Sequence, residues 1–296
     1  MCGRFTLTWP SHDELSRLLG VAASEAFSLL YRPRWNVAPT DPHWVVRLSS
    51  ARGEREIAQA SWGFSPLPAK NGARRGPLIN ARSETVARMP GVRDAFAVAA
   101  RRCIVPVDGF YEWVGEPKAK RPIWFHARDS AAGDGGTYGG GVEDRGGGGG
   151  DLLRLAGLWT PDGTATGGAR FTILTTAAND VVSQAHDRMP VILAAADVDT
   201  WLGADAVVAQ RLLRPAPAST LAARAVMPRA NSVKHDDPSC LDPWDPTLEV
   251  DLRDVKRSAV VEKTGRARSK IATLSLFSES PGDMAPPAAA PRRRRR

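Results

Sequence analysis

Short apolar runs at residues 44–48, 57–64, 103–107, 122–127, 152–159, 171–175 and 191–193 are each followed within a few residues by Gly, Pro, Asn or Asp. Runs of this length and spacing read as β-strands, and no such strand is stable without sheet partners. Helical signals are fewer and shorter. Ser11 followed by Glu14 forms a capping box, Leu15, Leu18 and Leu19 make a helical stripe, and Gly20 suits the helix end. Residues 83–88 and 92–100 read as two short helices broken at Pro90, with further helices at 195–202 and 206–213. The helices do not alternate regularly with the strands, which excludes a doubly wound parallel sheet. The expected class is α+β. It has a mainly antiparallel sheet core, barrel-like or as two packed sheets, with short flanking helices in a single domain.

That domain is expected over residues 1–250. Within it, residues 129–151 are dominated by glycine and read as a flexible insertion between two strands. Residues 258–296 are polar, rich in Pro, Ala and Arg, and end in the run Arg292–Arg296; they read as a disordered basic tail. The formal net charge of +8 favours a polyanionic partner. Besides the tail, Arg32, Arg34, Arg74, Arg75, Arg82, Arg101 and Arg102 place positive charge in the body. Cys2, Cys103 and Cys240 are odd in number, widely spaced and lack a CxxC pair, which argues against a disulfide framework and a cysteine-based zinc site. Five scattered histidines suggest no metal centre, and no cofactor is expected. No apolar run is long enough to span a bilayer, and the first residues lack the pattern of a secretion signal, so the expected location is the cytoplasm.

Three segments and the N-terminus carry reactive groups. Removal of Met1, which the small Cys2 favours, would leave an α-amine and a thiol on adjacent carbons. An amine condenses with an aldehyde to an imine, and the neighbouring thiol closes on it as a thiazolidine; both groups titrate not far above neutral pH. Asn80 and Arg82 share a side if their segment is extended; the alternative is a turn Asn and a surface Arg ahead of a helix capped by Ser83. Glu112 stands between Tyr111 and Trp113, where burial against rings would raise its pKa and suit it to proton transfer near neutrality. An ion-paired edge carboxylate is the commoner fate of such a residue. His186, flanked by Asp187 and Arg188, can shuttle protons near pH 7, although a lone His before a strand is more often structural.

These segments, taken in order, resemble the SOS-response-associated peptidase family, also called the abasic-site processing family. The matching stretches are Met1-Cys2-Gly3-Arg4-Phe5, Arg34-Trp35-Asn36-Val37-Ala38-Pro39-Thr40, Trp62-Gly63-Phe64, Ile79-Asn80-Ala81-Arg82-Ser83-Glu84-Thr85, Gly109-Phe110-Tyr111-Glu112-Trp113, Thr175-Thr176-Ala177-Ala178-Asn179 and His186-Asp187-Arg188-Met189-Pro190-Val191. The resemblance implies capture of abasic sites in single-stranded DNA through a covalent bond to Cys2, at stalled replication forks. In this reading Asn80 contacts the sugar or the cysteine, Glu112 transfers protons, and His186 supports ring opening and reversal. Arg4 and Arg82 would grip phosphates, with Asn36, Pro39, Trp62 and Thr175 along the DNA path. Replication-fork proteins are possible partners, the chain is expected to be a monomer, and no membrane is involved. One departure stands out. Where the family often carries another Trp after the Trp-Gly turn, this chain has Pro66-Leu67-Pro68-Ala69-Lys70 and then Arg74-Arg75, which puts base stacking there in question. Two competing readings remain: an N-terminal-nucleophile hydrolase of the glutamine amidotransferase or peptidase kind, and a non-catalytic single-strand-binding module.

Overall fold

The first strand, β1 (Arg4–Leu7), does not lie at an edge, although it begins the chain. The computed structural model describes residues 2–49, 53–64, 76–116, 120–128, 152–162 and 168–246. The glycine-rich insertion, the loop with Lys70, Arg74 and Arg75, and the basic tail lie outside the described residues. After β1 come α1 (His12–Leu19), α2 (Glu25–Leu30), β2 (Arg34–Val37), β3 (Pro42–Leu48), β4 (Arg55–Trp62) and β5 (Asn80–Arg82). The order continues with α3 (Val92–Ala97), β6 (Arg102–Val107), β7 (Gly109–Val114), β8 (Arg121–Ala127), β9 (Leu153–Pro161) and β10 (Ala169–Ala177). Last are β11 (Arg188–Pro190), β12 (Ile192–Leu193), α4 (Val198–Gly203), α5 (Ala206–Gln210) and β13 (Leu221–Ala225).

Two sheets result, confirming the α+β class. One has the order β13-β8-β7-β1-β2 and is antiparallel throughout. The other runs β11-β10-β4-β3-β6-β9-β12, and a further pairing of β9 with β10 closes β10, β4, β3, β6 and β9 into a ring. Only β4 and β5 run parallel to their neighbour β10. Every residue of β6 is buried, because both faces of that strand are covered. Cys103, Val105 and Val107 join the cluster shared with Phe5, Phe110 and Phe125 of the first sheet, whereas Ile104 joins the cluster under α1, α3 and α4.

The local signals read from the sequence explain the elements that frame these sheets. Ser11 accepts from the Glu14 N–H at 3.3 Å, and Gly20 closes α1 in the left-handed region at φ 63°. The expected helix at residues 83–88 is a single 3-10 turn, Ser83–Thr85, with Ser83 as its first residue and not its cap. At 195–202 a 3-10 turn, Ala195–Asp197, leads into α4.

Arg102 and Arg34, counted above as charge for a polyanion, are instead structural. Arg102 is fully buried; its guanidinium donates to Trp201 O at 2.6 Å, to Phe96 O at 3.1 Å and to Ala204 O, tying α3 and α4 to β6. Arg34 pairs with Asp41 at 2.8 Å and with Asp236, fastening β2 to the 232–237 segment.

The β7–β8 hairpin depends on close contact at Gly109. A Cβ there would lie 2.2 Å from Trp124 Nε1 and 2.8 Å from Phe125 O. Gly109→Ala is expected to cost about 1–3 kcal/mol through overpacking. Urea denaturation reads this directly, and a parental midpoint would show that Trp124 moves aside freely.

Candidate active site

Three segments distant in sequence meet the N-terminus at one place. β1 pairs with β7 through Arg4–Tyr111, Phe5–Phe110 and Thr6–Gly109, so residues 2 and 3 run on beside Glu112. The register is locked by a buried carboxylate: Asp108 accepts from Thr6 Oγ1, from Thr8 N at 2.5 Å and from Thr8 Oγ1 at 2.6 Å. Burial raises the Asp108 pKa, and these hydrogen bonds pull against it. Trp124 Nε1 donates to the same Thr6 hydroxyl at 3.1 Å. No signal in the sequence links residue 6 to residue 108, and this lock was not foreseen.

Asn80 arrives from β5, which lies parallel to β10 with Asn80 opposite Ile173. Its Nδ2 donates to Cys2 O at 2.7 Å. Among the described residues its buried Oδ1 finds no hydrogen-bond donor, a cost that a bound donor would relieve. Cys2 itself is 0% exposed, with Sγ 3.8 Å from Arg4 O. Burial, followed by the negative charge of Glu112, pushes the thiol far above its ordinary pKa.

Glu112 is buried at 4% exposure. Desolvation raises its pKa, as expected from its neighbours, and the charge of His186 opposes that rise while Asp187 reinforces it. His186 sits between the 3-10 turn Val182–Gln184 and β11. Its Nδ1 lies 3.0 Å from Arg188 N and 2.7 Å from Asp187 Oδ1. It cannot satisfy both at once. With Nδ1 bare the ring accepts from the Arg188 N–H and presents Nε2–H, whereas with a hydrogen on Nδ1 it donates to Asp187.

The side chains expected along a DNA path fall into two groups. Arg82 is exposed opposite Thr175 in the β5–β10 pairing, Pro39 is half-buried, and half-buried Arg4 lies 5.9 Å from the Trp113 ring centroid. Arg4 is nevertheless engaged, donating to Asn36 Oδ1 and Ala230 O, each at 2.8 Å. Asn36, Trp62 and Thr175 lie in the interior. Asn36 Nδ2 donates to Ser232 O at 3.0 Å and His235 O at 2.7 Å, holding the 230–235 segment. Trp62 donates to Ile79 O at 2.9 Å and packs parallel to Phe171. Thr175 Oγ1 faces Ala81 O at 3.4 Å. The sequence reading also missed a fork on this rim: Arg188 binds both oxygens of Glu84, at 2.5 and 2.9 Å, and Thr175 O at 2.6 Å. This pairing holds the Glu84 carboxyl below its ordinary pKa.

Among the described residues no three His, Cys, Asp or Glu side chains gather as metal ligands, and no helix is long and apolar enough to cross a membrane. His43 belongs to the core: packed on Phe5 and hydrogen-bonded to Pro106 O at 2.9 Å, it has its pKa pushed down by burial to about 4. What the site offers is a buried carboxyl group, an imidazole and an amide around the first backbone atoms of the chain. This equipment suits proton transfer during addition to a carbonyl.

The chain is similar to proteins already characterised. The abasic site processing protein YoqW of Bacillus subtilis (strain 168) is 30% identical over 248 residues, which cover 82% of this chain and 99% of that one. The abasic site processing protein HMCES of Gallus gallus is 29% identical over 237 residues, covering 72% of this chain and 67% of its own. A crystal structure of a protein from Bacteroides thetaiotaomicron superposes with a TM-score of 0.63 at 20% identity, covering 82% of this chain and all of that one, a likeness of fold. Matched by the family's model from residue 1 to residue 233, the chain belongs to the SOS response associated peptidase (SRAP) family.

Proposed function

We propose that this protein captures abasic sites in single-stranded DNA, forming a thiazolidine through Cys2 once Met1 has been removed. The observation that carries the reading is the 2.7 Å hydrogen bond from Asn80 to Cys2 O, with Cys2 in the field of Glu112 and Glu112 in that of His186. In the chain that retains Met1, the Cys2 nitrogen is an amide and its thiol is enclosed, so neither can react. Processing turns that nitrogen into an amine beside a buried carboxyl.

The amine adds to the C1′ aldehyde of the ring-opened deoxyribose, and the carbinolamine loses water to a protonated imine. Glu112 in its acid form protonates the departing hydroxyl. Water leaves with the Glu112 proton, so the nitrogen keeps its own proton as an iminium; the thiol then adds to the iminium carbon, the C=N electron pair returns to nitrogen, and the sulfur's proton restores Glu112 to its acid form. His186 protonates the sugar ring oxygen as the furanose opens. Asn80 fixes the Cys2 carbonyl, and hence the direction of the amine. In the chain that retains Met1 the raised thiol pKa makes Cys2 a poor first nucleophile for a peptidase. The family name and the requirement for Met1 removal keep a self-processing peptidase as a secondary reading. Arg82 and the Arg4 region hold phosphates without reading sequence, as a lesion sensor requires.

The test is incubation of the purified protein with a single-stranded oligonucleotide carrying one abasic site. A heat-stable shifted band on a denaturing gel is expected, with the mass of a thiazolidine on the N-terminal peptide. Cys2→Ala keeps an α-amine but has no sulfur. It should lose the heat-stable band nearly completely while still giving a product trapped by borohydride. A heat-stable band from Cys2→Ala would sink the proposal.

A further inference from the structure

Next to Glu112 and His186 lies a cavity of about 280 Å³ that the chemistry above does not use. Its floor is one face of the antiparallel sheet: Val114 on β7, Ile123 and Phe125 on β8, Ala223 and Ala225 on β13. The register puts Glu112 on that same face. Glu112 is opposite Ile123, Ile123 is opposite Ala225, and Phe125 is opposite Ala223; Val114 follows Glu112 by two residues along its strand. The wall is the 181–185 segment, whose last residue, Ala185, precedes His186. Ile123, Val181, Ala185 and Ala223 pack against the same apolar cluster that contains Cys2. Ile123, opposite Glu112, and Ala185, beside His186, thus join the lining of the cavity to the reactive cluster.

Its lining selects the occupant. Arg224 also borders the cavity, but its guanidinium lies over the Trp124 ring, 4.8 Å away, and Trp124 stands on the opposite face from Ile123 and Phe125. Among the described residues no carboxylate lines the cavity, and Gln184 supplies an amide. A phosphate gains nothing from such walls, whereas a flat, uncharged heterocycle gains burial and a hydrogen-bonding edge. The volume lies at the lower limit of small-ligand pockets and matches one such ring system, not a length of peptide.

We propose that this cavity receives the nucleobase of a nucleotide adjacent to the abasic deoxyribose, so that reaction at Cys2 depends on the neighbour as well as on the lesion. This rests on the abasic-DNA reading of the site. With the sugar held between Glu112 and His186, the next bulky group along a DNA strand is a base, and Ile123, which borders the cavity, stands directly opposite Glu112. Small side chains at 223 and 225 leave the room it needs.

The experiment compares cross-linking rates on three single-stranded oligonucleotides with one abasic site: both neighbours natural, the 5′ neighbour replaced by a base-free reduced spacer, or the 3′ neighbour so replaced. The unaltered protein should react about tenfold faster with natural neighbours than with one of the two spacer substrates, in line with the usual contribution of one stacked base. Ala223→Phe and the milder Ala225→Leu fill the cavity. Each should lose that ratio while still cross-linking the discriminating spacer substrate at the unaltered protein's rate, with thermal melting verifying the fold. Equal rates on all three oligonucleotides, or a ratio retained by both filled variants, overturns the inference while leaving the abasic-site reading intact. Competition by an apolar peptide, lost in the filled variants, also overturns it and assigns the cavity to peptide. Failure of the unaltered protein to form any adduct removes both readings together.

Discussion

Glu112→Gln is expected to slow adduct formation about 10²–10⁴-fold, the usual contribution of a positioned acid–base group. It should also make the folded protein more stable on the alkaline side. The two effects share a cause. Burial raises the Glu112 pKa above its unfolded value, so the folded chain binds that proton more tightly than the unfolded chain does. Stability derived from that bound proton is complete below the unfolded value, about 4.3, and is lost as pH rises through the folded one. Gln keeps the shape and carries no ionisable proton, so its advantage over Glu grows across that window and closes again in acid. Adduct rates on an abasic oligonucleotide and thermal melting from acid to alkaline pH measure both effects. An unchanged rate removes Glu112 from the mechanism, and a variant less stable than its parent at alkaline pH contradicts the assigned burial cost.

Arg102→Met should cost about 3–5 kcal/mol, the range for breaking a buried charged network. Among the described residues the guanidinium has no carboxylate within hydrogen-bond reach; its partners are the carbonyls of Phe96, Trp201 and Ala204, which belong to the ends of α3 and α4. Helix ends of this polarity attract a cation, and three carbonyls left without a donor in the interior are each costly. Methionine fills much of the volume but donates nothing. Urea denaturation gives the loss as a midpoint shift; a change below about 1 kcal/mol would mean that water replaces the guanidinium at these carbonyls.

Local chemistry was the legible part of this fold. The α1 cap and its terminal glycine were readable because one turn of chain determines them, and the seven apolar runs were readable because each satisfies its own strand pattern. β13 was missed because Leu221-Ala222-Ala223-Arg224-Ala225 has helical propensity, which its pairing with β8 overrides. The α2 turn was missed because it is short and leaves Leu29 and Leu30 exposed, with no clean apolar stripe. The ring closure between β9 and β10 has no counterpart in any single segment. In the site, Glu112 and His186 stood out by their neighbours, yet each also had an ordinary structural reading, and the ordered resemblance decided between the two. Asn36 and Trp62 show the converse. Their motifs stand out in the sequence, yet both side chains serve the interior, one holding a loop and the other packing beneath β1.

The interior position of β1, between β7 and β2, sets an order of events during synthesis. Chain ends usually fray, but this one is held on both sides, and its inner partner is made more than a hundred residues later. While the ribosome is still adding those residues, the first few lie extended and unpaired, in the form a methionine-removing enzyme requires. On the proposed reading, excision therefore comes first and enclosure second. The freed aminothiol is then set beside Glu112 as β1 pairs with β7.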